Sequence, residues 1–462
     1  MQILITIALI IIGVLLFEFI IFAHEFGHFI TAKRSGVQVN EFALGMGPKL
    51  ISFKKGETQY SLRLFPIGGY CAMEGEDEDS DNPRAFVNAK IWKRMIIIVA
   101  GAFMNFVVGL LLVFIVTLST PQFASTVVSQ FVPNAATANS GLKVGDEIVN
   151  VDGYAIWNIK DLQFAIQTLN HKNVDPDSLE IYREDCTQKI VDEYRNIING
   201  NELTDEQIND LYDNSLSKYC SEINVVDTKE KAYSLMKVGI DDLYKNAKVS
   251  KPDDFKYPEI EKRSERIRYS GDVTVIRDGE RVTLKNVNFH TYYKDEQAQQ
   301  DKKYSVSMDF YVNELDKNFG TIMHETFTGT ATLARSVWKS LIMLVQGRFS
   351  FTDLSGPVGI TKAVSTVASE GLKTSFGDAV LNIVYIMALI TINLGVVNLL
   401  PFPALDGGRF VFLLIEAIIR RPVPRKVEYI VNGVGLVLLL GFIAVVSVKD
   451  IIQLITGTFP TI

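Results

Sequence analysis

Residues 19–34 read FIIFAHEFGHFITAKR. His24 and His28 flank Glu25 in the pattern H-E-x-x-H. On a helix, side chains four residues apart project from one face, so both imidazoles can reach one metal ion. Zn2+ suits such a pair, and a catalytic zinc takes a third protein ligand and leaves a position for water. Glu25 is not needed as a ligand and is free to move protons. The residues before this motif, from Ile3 to Phe22, are almost all apolar. A run of roughly 20 apolar residues is what a helix needs to cross a bilayer. The stretch therefore makes two demands at once, a helix in lipid and a metal site that water must reach.

Three further segments have the same character: Met95 to Leu118, Ala379 to Leu400, and Ile430 to Val448. The first segment lacks a basic leading region and a small-residue cleavage site, so a removed signal peptide is not expected. The 462 residues are 48% hydrophobic, which fits spans interleaved with polar domains. A net charge of −7 argues against nucleic acid as a partner. The three cysteines, Cys71, Cys186 and Cys220, form no C-x-x-C pair, which excludes a cysteine zinc cluster.

Basic residues in short loops orient the spans. The loop 401–429 carries Arg409, Arg420, Arg421, Arg425 and Lys426 against Asp406, Glu416 and Glu428. Lys33, Arg34, Lys90, Lys93 and Arg94 lie at the ends of the first two spans. Both regions are expected in the cytoplasm, with the N-terminus and residues 120–375 outside. The first and third spans then run in one direction and end at one depth.

After the third span comes NLLPFPALDGGR, residues 398–409. Pro401 and Pro403 cannot continue a helix, so the span must break. Irregular backbone at membrane depth is tolerated only where protein or a water-filled cavity covers it. Asp406 sits in that break, before Gly407 and Gly408. It is the expected third metal ligand beside His24 and His28. Glu25 would take a proton from water, whose pKa the metal lowers to about 7, and pass it to a leaving amine. The chemistry is metal-assisted hydrolysis of a peptide bond.

Taken together, HEFGH (24–28), ALGMGPKL with LRLFPIGGYCAM, SGPVGI (355–360) and NLLPFPALDGG (398–408) resemble the site-2 protease family of intramembrane zinc metalloproteases, of the bacterial regulator-of-sigma-E protease type. The resemblance implies a polytopic α-helical membrane protein with four transmembrane helices in the bacterial cytoplasmic membrane. It implies Zn2+ held by His24, His28 and Asp406, with Glu25 as acid/base. It also implies that Asn393 and Asn398 contact substrate. The implied substrates are single-span membrane proteins such as anti-sigma factors, or remnant signal peptides, often cut first by an upstream site-1 protease.

Residues 37–73 read as short strands around a turn at Lys55-Gly56, with bends at Gly45, Gly47, Gly68 and Gly69. The resemblance implies that this hairpin is membrane-associated on the cytoplasmic side beside the active site, where an open edge can hold an unwound substrate. The run EGEDEDSD, 74–81, is expected as a solvated loop. Outside the membrane, residues 127–169 with GLKVGDEIVNVDG look like the first part of a PDZ domain, and 271–289 like its closing hairpin across an Asp-Gly turn. Between them, residues 171–270 hold 16 Lys/Arg against 22 Asp/Glu and are expected as a helical insert. Cys186 and Cys220 in it are equally readable as a disulfide or as two thiols.

The expected division is 1–36, first span with HExxH; 37–93, hairpin region; 94–119, second span; 120–292, an extracytoplasmic α+β PDZ-like domain with insert 171–270; 293–376, interfacial helices, of which 328–346 lies at the outer interface; and 377–462, the third and fourth spans with LDGG. Glu18 lies within the first apolar run, where a carboxylate is costly. It is open whether it lines a water path or bonds within the bundle. His171, His290 and His324 have no partner at metal spacing. The competing class is a catalytically silent scaffold that binds peptide termini through the PDZ-like region. A transporter fits poorly, since four spans show no paired repeat.

Overall fold

The structure, a computed structural model, describes residues 2–456 apart from 77, 79, 133–134, 170, 175–177, 202, 261–265, 293–304 and 349–353. It divides into two compact units, Met1–Pro121 with Lys317–Ile462, and Gln122–Asp316. Among the described residues, four helices are long and apolar enough to cross a membrane: Ile11–Ser35, Ile91–Ser119, Phe376–Asn398 and Arg425–Thr456. These are the four expected spans, and with the β-sheets they make a polytopic membrane protein carrying a β domain.

In the first unit, the first helix is unbroken from Gln2 to Ser35, so HEFGH lies inside it rather than beyond its end. No proline or strained glycine interrupts it, and Gly36, at φ +85°, ends it. Strands β1 (Val39–Lys55) and β2 (Thr58–Met73) follow. They are longer than expected, because each bends and pairs twice. Glu41–Leu44 pair with Gln59–Leu62 on one side and with Gly69–Ala72 on the other, while Ile51–Lys55 pair again with Thr58–Leu62. The fold-back needs Gly45 at φ +79°, where a Cβ would lie 2.7 Å from the Phe65 carbonyl oxygen. One edge of this sheet, Gly69–Ala72, carries no further strand among the described residues. Met46, Leu50, Ile51, Phe53, Leu64 and Phe65 leave the sheet with an exposed apolar surface.

The second span (Ile91–Ser119) is the centre of the bundle. Its Val108, Leu112 and Val113 share a core with Ile20 and Ala23 of the first span and Ile383, Met387 and Ile392 of the third. Small residues bring the backbones close, as is usual between helices in lipid. A Cβ on Gly27 would fall 2.3 Å from Ala100 O, and one on Gly109 would fall 2.4 Å from Ile392 Cγ1. The helix Phe319–Val345 packs on this bundle through Gly329 and Leu333. Next comes the helix Pro357–Thr374, which begins in SGPVGI; the Gly356 and Gly359 amides of that stretch both donate to Asp450 Oδ2 of the fourth span at 2.8 Å. A carboxylate at a helix N-terminus satisfies orphan donors and complements the dipole.

In the second unit, strands β3 (Phe123–Phe131), β4 (Glu147–Val151), β5 (Tyr154–Ala155), β6 (His171–Val174), β7 (Arg266–Arg277), β8 (Glu280–Tyr292), β9 (Ser305–Ser307) and β10 (Phe310–Leu315) form one sheet. Its order is β10-β3-β4-β7-β8-β9, with β5 on β4 and β6 on β7. Asp278 and Gly279 both have positive φ, the turn expected for this Asp-Gly hairpin. Residues 305–315 add two strands where helices were expected: β10 pairs with β3 at one edge of the sheet and β9 with β8 at the other. The insert is helical: Leu179–Gly200, Asp205–Leu211, Lys218–Val225 and Lys229–Ala247. Its core (Ile190, Ile223, Met236, Ile240, Leu243) is separate from that of the sheet (Val128, Ile148, Leu162, Val275, Val287). Cys186 and Cys220 are both buried in the insert core and both free, so no disulfide joins them. His324 is exposed, and the side chains of His171 and His290 lie outside the described residues.

Two predictions follow from this packing. Ile240→Ala should cost the insert about 2–5 kcal/mol, and hydrogen exchange should rise across residues 179–247 while β4, β7 and β8 keep their protection. The second concerns the hairpin turn. Glu57 receives two bonds from Arg84 (2.6 and 2.9 Å) and one from Lys33 (2.5 Å). Those cations hold its carboxyl down at about 2. A carboxyl held below its ordinary range contributes stability above about pH 4.5 that is lost as pH falls toward 2. Cleavage by an acid protease at the turn should therefore rise between pH 5 and pH 2, and Glu57→Gln should flatten that dependence.

Candidate metal centre

The two histidines face the second span, and that span supplies both of their outer partners. His28 Nδ1 lies 2.8 Å from the Ile97 carbonyl oxygen. A carbonyl accepts only, so Nδ1 carries the proton and Nε2 is left with a lone pair. His24 Nδ1 lies 3.1 Å from the side-chain amide of Asn105, which is fully buried and whose Oδ1 has no partner. A half-turn of that amide places the oxygen on His24 Nδ1–H and frees Nε2 in the same way. A ring nitrogen bonded to a carbonyl is how proteins fix the tautomer of metal-binding histidines.

The free nitrogens converge. His24 Nε2 and His28 Nε2 are 3.3 Å apart, and each is 3.4 Å from Asp406 Oδ2. That oxygen is buried and accepts no hydrogen bond. The three ligand atoms lie within 4.8 Å of one another, and the side chains are only 11–20% exposed. Three buried lone pairs aimed at one point are costly unless something positive sits between them. Two nitrogens and one carboxylate oxygen are a donor set that suits Zn2+. The site fits the metal.

Space for the imidazoles is made by Gly101. A Cβ there would fall 2.2 Å from His28 Nε2 and 2.9 Å from His24 Cε1. Gly101 and Asn105 are four residues apart on one face of the second span.

Asp406 opens the helix Asp406–Ile419. The loop before it folds back over the first turn, so Gly407 and Gly408 have no room for side chains. Their Cβ atoms would lie 2.2 Å from Leu400 O and 2.3 Å from Phe402 O. Two ion pairs hold this helix in place, Arg409 with Glu76 and Arg94 with Glu416 (2.9 Å). Glu25 is half-buried one residue from His24, beside Gly69 of β2, where a Cβ would lie 3.5 Å from Glu25 Cγ. The edge of the β1–β2 sheet thus runs past Glu25.

Asn393 is exposed and Asn398 half-buried, and neither makes a hydrogen bond to the cluster among the described residues. Glu18 is buried, and neither of its carboxylate oxygens has a hydrogen-bond partner. Sequence reasoning missed Asn105, Gly101 and the Ile97 carbonyl. Asn105 carried a signal, since an amide inside an apolar span is costly unless paired. A backbone carbonyl carries none.

Gly101→Ala should force His28 off Ile97 O. The expected loss is about 10-fold or more in Zn2+ affinity, read by competition with a chelator, with the helical circular dichroism unchanged.

The family profile described as Peptidase family M50 matches residues 12–442. A Clostridium perfringens protein named as a candidate zinc metalloprotease is 31% identical over 445 residues, covering 96% of this chain and 98% of its own length. The Bacillus licheniformis zinc metalloprotease RasP is 30% identical over 455 residues, covering 96% and 98%. The Bacillus subtilis regulator of sigma-W protease RasP is 28% identical over 475 residues, covering 96% and 97%. A chain with this match along nearly its whole length and an intact H-E-x-x-H is not a silent scaffold. It belongs to peptidase family M50 and is a membrane-embedded zinc metalloprotease.

Proposed function

We propose that this protease hydrolyses peptide bonds in membrane-spanning substrates, with Zn2+ held by His24, His28 and Asp406 and with Glu25 as acid/base. The observation that carries the reading is the convergence of two imidazole nitrogens and one carboxylate oxygen at 3.3–3.4 Å, with no hydrogen bond to the carboxylate oxygen. When bound, zinc supplies a Lewis acid that polarises the scissile carbonyl and lowers the pKa of water. Ile97 and Asn105 keep both rings oriented. Glu25, half-buried beside the cluster, receives a proton and returns it to the leaving nitrogen.

A peptide bond inside a helix is shielded by its own hydrogen bonds, so the substrate has to be opened before attack. The Gly69–Ala72 edge of the hairpin offers unpaired backbone groups beside Glu25. A substrate strand added there is held extended across the site. The exposed Asn393 and the half-buried Asn398 are the amides assigned to substrate contact. The exposed apolar hairpin surface, with the basic loop 401–429, supports a membrane-associated hairpin on the cytoplasmic side. The Gln122–Asp316 unit is assigned as an extracytoplasmic PDZ-like domain with its helical insert. One relative is named for regulating a sigma factor. Anti-sigma factors and remnant signal peptides, trimmed first by a site-1 protease, are the substrate class inferred for this chain.

Wild type should cleave a model single-span substrate in proteoliposomes, and Glu25→Gln should lower the rate by about 10²-fold or more while keeping its zinc. Equal cleavage by both would remove Glu25 from the chemistry. His24→Ala with Asp406→Ala should lose the metal, and full zinc content in that variant would refute the ligand set.

A further inference from the structure

The fourth span (Arg425–Thr456) is mostly lined by exposed apolar side chains, yet it touches the metal-site loop at two adjacent points. Asn432 Oδ1 accepts a hydrogen bond from the Ala404 amide at 3.2 Å. Three residues on, and on the same face of the helix, a Cβ at Gly435 would fall 2.4 Å from Pro403 Cβ and 2.8 Å from Pro403 O. Ala404 is a non-glycine residue at φ +73°, in the left-handed region that an L side chain resists. Such a conformation persists only where its surroundings hold it. Two residues later the chain reaches Asp406, whose buried Oδ2 accepts no hydrogen bond. That oxygen is aimed by its backbone, and its backbone is set by the turn at Ala404.

We infer that Asn432 is a positioning residue for the metal centre: from the fourth span it holds Ala404 in its left-handed turn and so fixes the reach of Asp406 toward His24 and His28. The inference rests on the zinc reading above. Ala404 N–H donates to Asn432 Oδ1, so the side-chain amide is the group that satisfies it. Gly435 lets the span approach closely enough for that bond. Glycine at position 404 would adopt the same φ without strain and would need less holding.

The test uses the full-length protein in detergent micelles with Zn2+ as the probe, and Co2+ as its spectroscopic substitute. Asn432→Leu keeps the bulk and removes the acceptor. It should weaken zinc affinity by about 10-fold and alter the visible spectrum of the Co2+-loaded protein, with helical content unchanged. Ala404→Gly alone should bind as wild type does. Ala404→Gly in the Asn432→Leu background should restore most of the lost affinity, because glycine does not need the clamp. If Asn432→Leu does not fold, Asn432→Ala carries the same expectations. An unchanged affinity in the acceptor-less variant, or no restoration by Ala404→Gly, overturns the inference while leaving the zinc reading in place. A wild-type chain that retains no metal overturns the zinc reading and this inference together.

Discussion

The close approach of the first and second spans is the constraint on which the site depends. Gly27 sits against Ala100 O, and Gly101 clears the space that the two imidazoles fill. At that separation Ile97 O and Asn105 reach the Nδ1 atoms, and both Nε2 atoms are turned the same way. A wider spacing would leave two histidines free to rotate and to hydrogen-bond locally. The H-E-x-x-H motif offers two candidate ligands on one helical face, but the neighbouring helix makes them lone pairs with a fixed direction.

The third candidate ligand, Asp406, comes from a different kind of constraint. The third span stops at Asn398, and the chain must turn within a few residues to present Asp406 at the head of a new helix. Pro401 and Pro403 stop the helix, Ala404 takes a left-handed turn, and Gly407 and Gly408 let the loop lie against the helix it begins. Arg409–Glu76 and Arg94–Glu416 then tie that helix to the end of the hairpin and to the second span. The loop that carries Asp406 is thus supported from several sides, although Asp406 Oδ2 has no hydrogen bond of its own.

The Gln122–Asp316 unit follows a different logic. Its β-sheet and its helical insert have separate cores, joined where β6 and β7 pair. Pairing His171 with Tyr269 brings the ends of the insert together, so the 97 residues between them are accommodated without opening the sheet. The charge balance of 171–270 reflects helices whose outer faces are solvated.

The sequence alone determined the four spans, because apolar length is read by lipid whatever the fold. It also determined His24, Glu25, His28 and Asp406 as the candidate centre, because a four-residue spacing and a proline-broken span are local facts. The Asp-Gly hairpin and the helical insert were legible for the same reason. Tertiary structure alone decided the rest. The hairpin's double pairing, the closing strands 305–315, and the contacts of Ile97, Gly101, Asn105 and Asn432 all join residues far apart in the chain. Ile97 acts through a backbone carbonyl that every residue has, and Gly101 acts through an absent side chain. Neither has a chemical signature in the sequence until a partner helix is placed beside it.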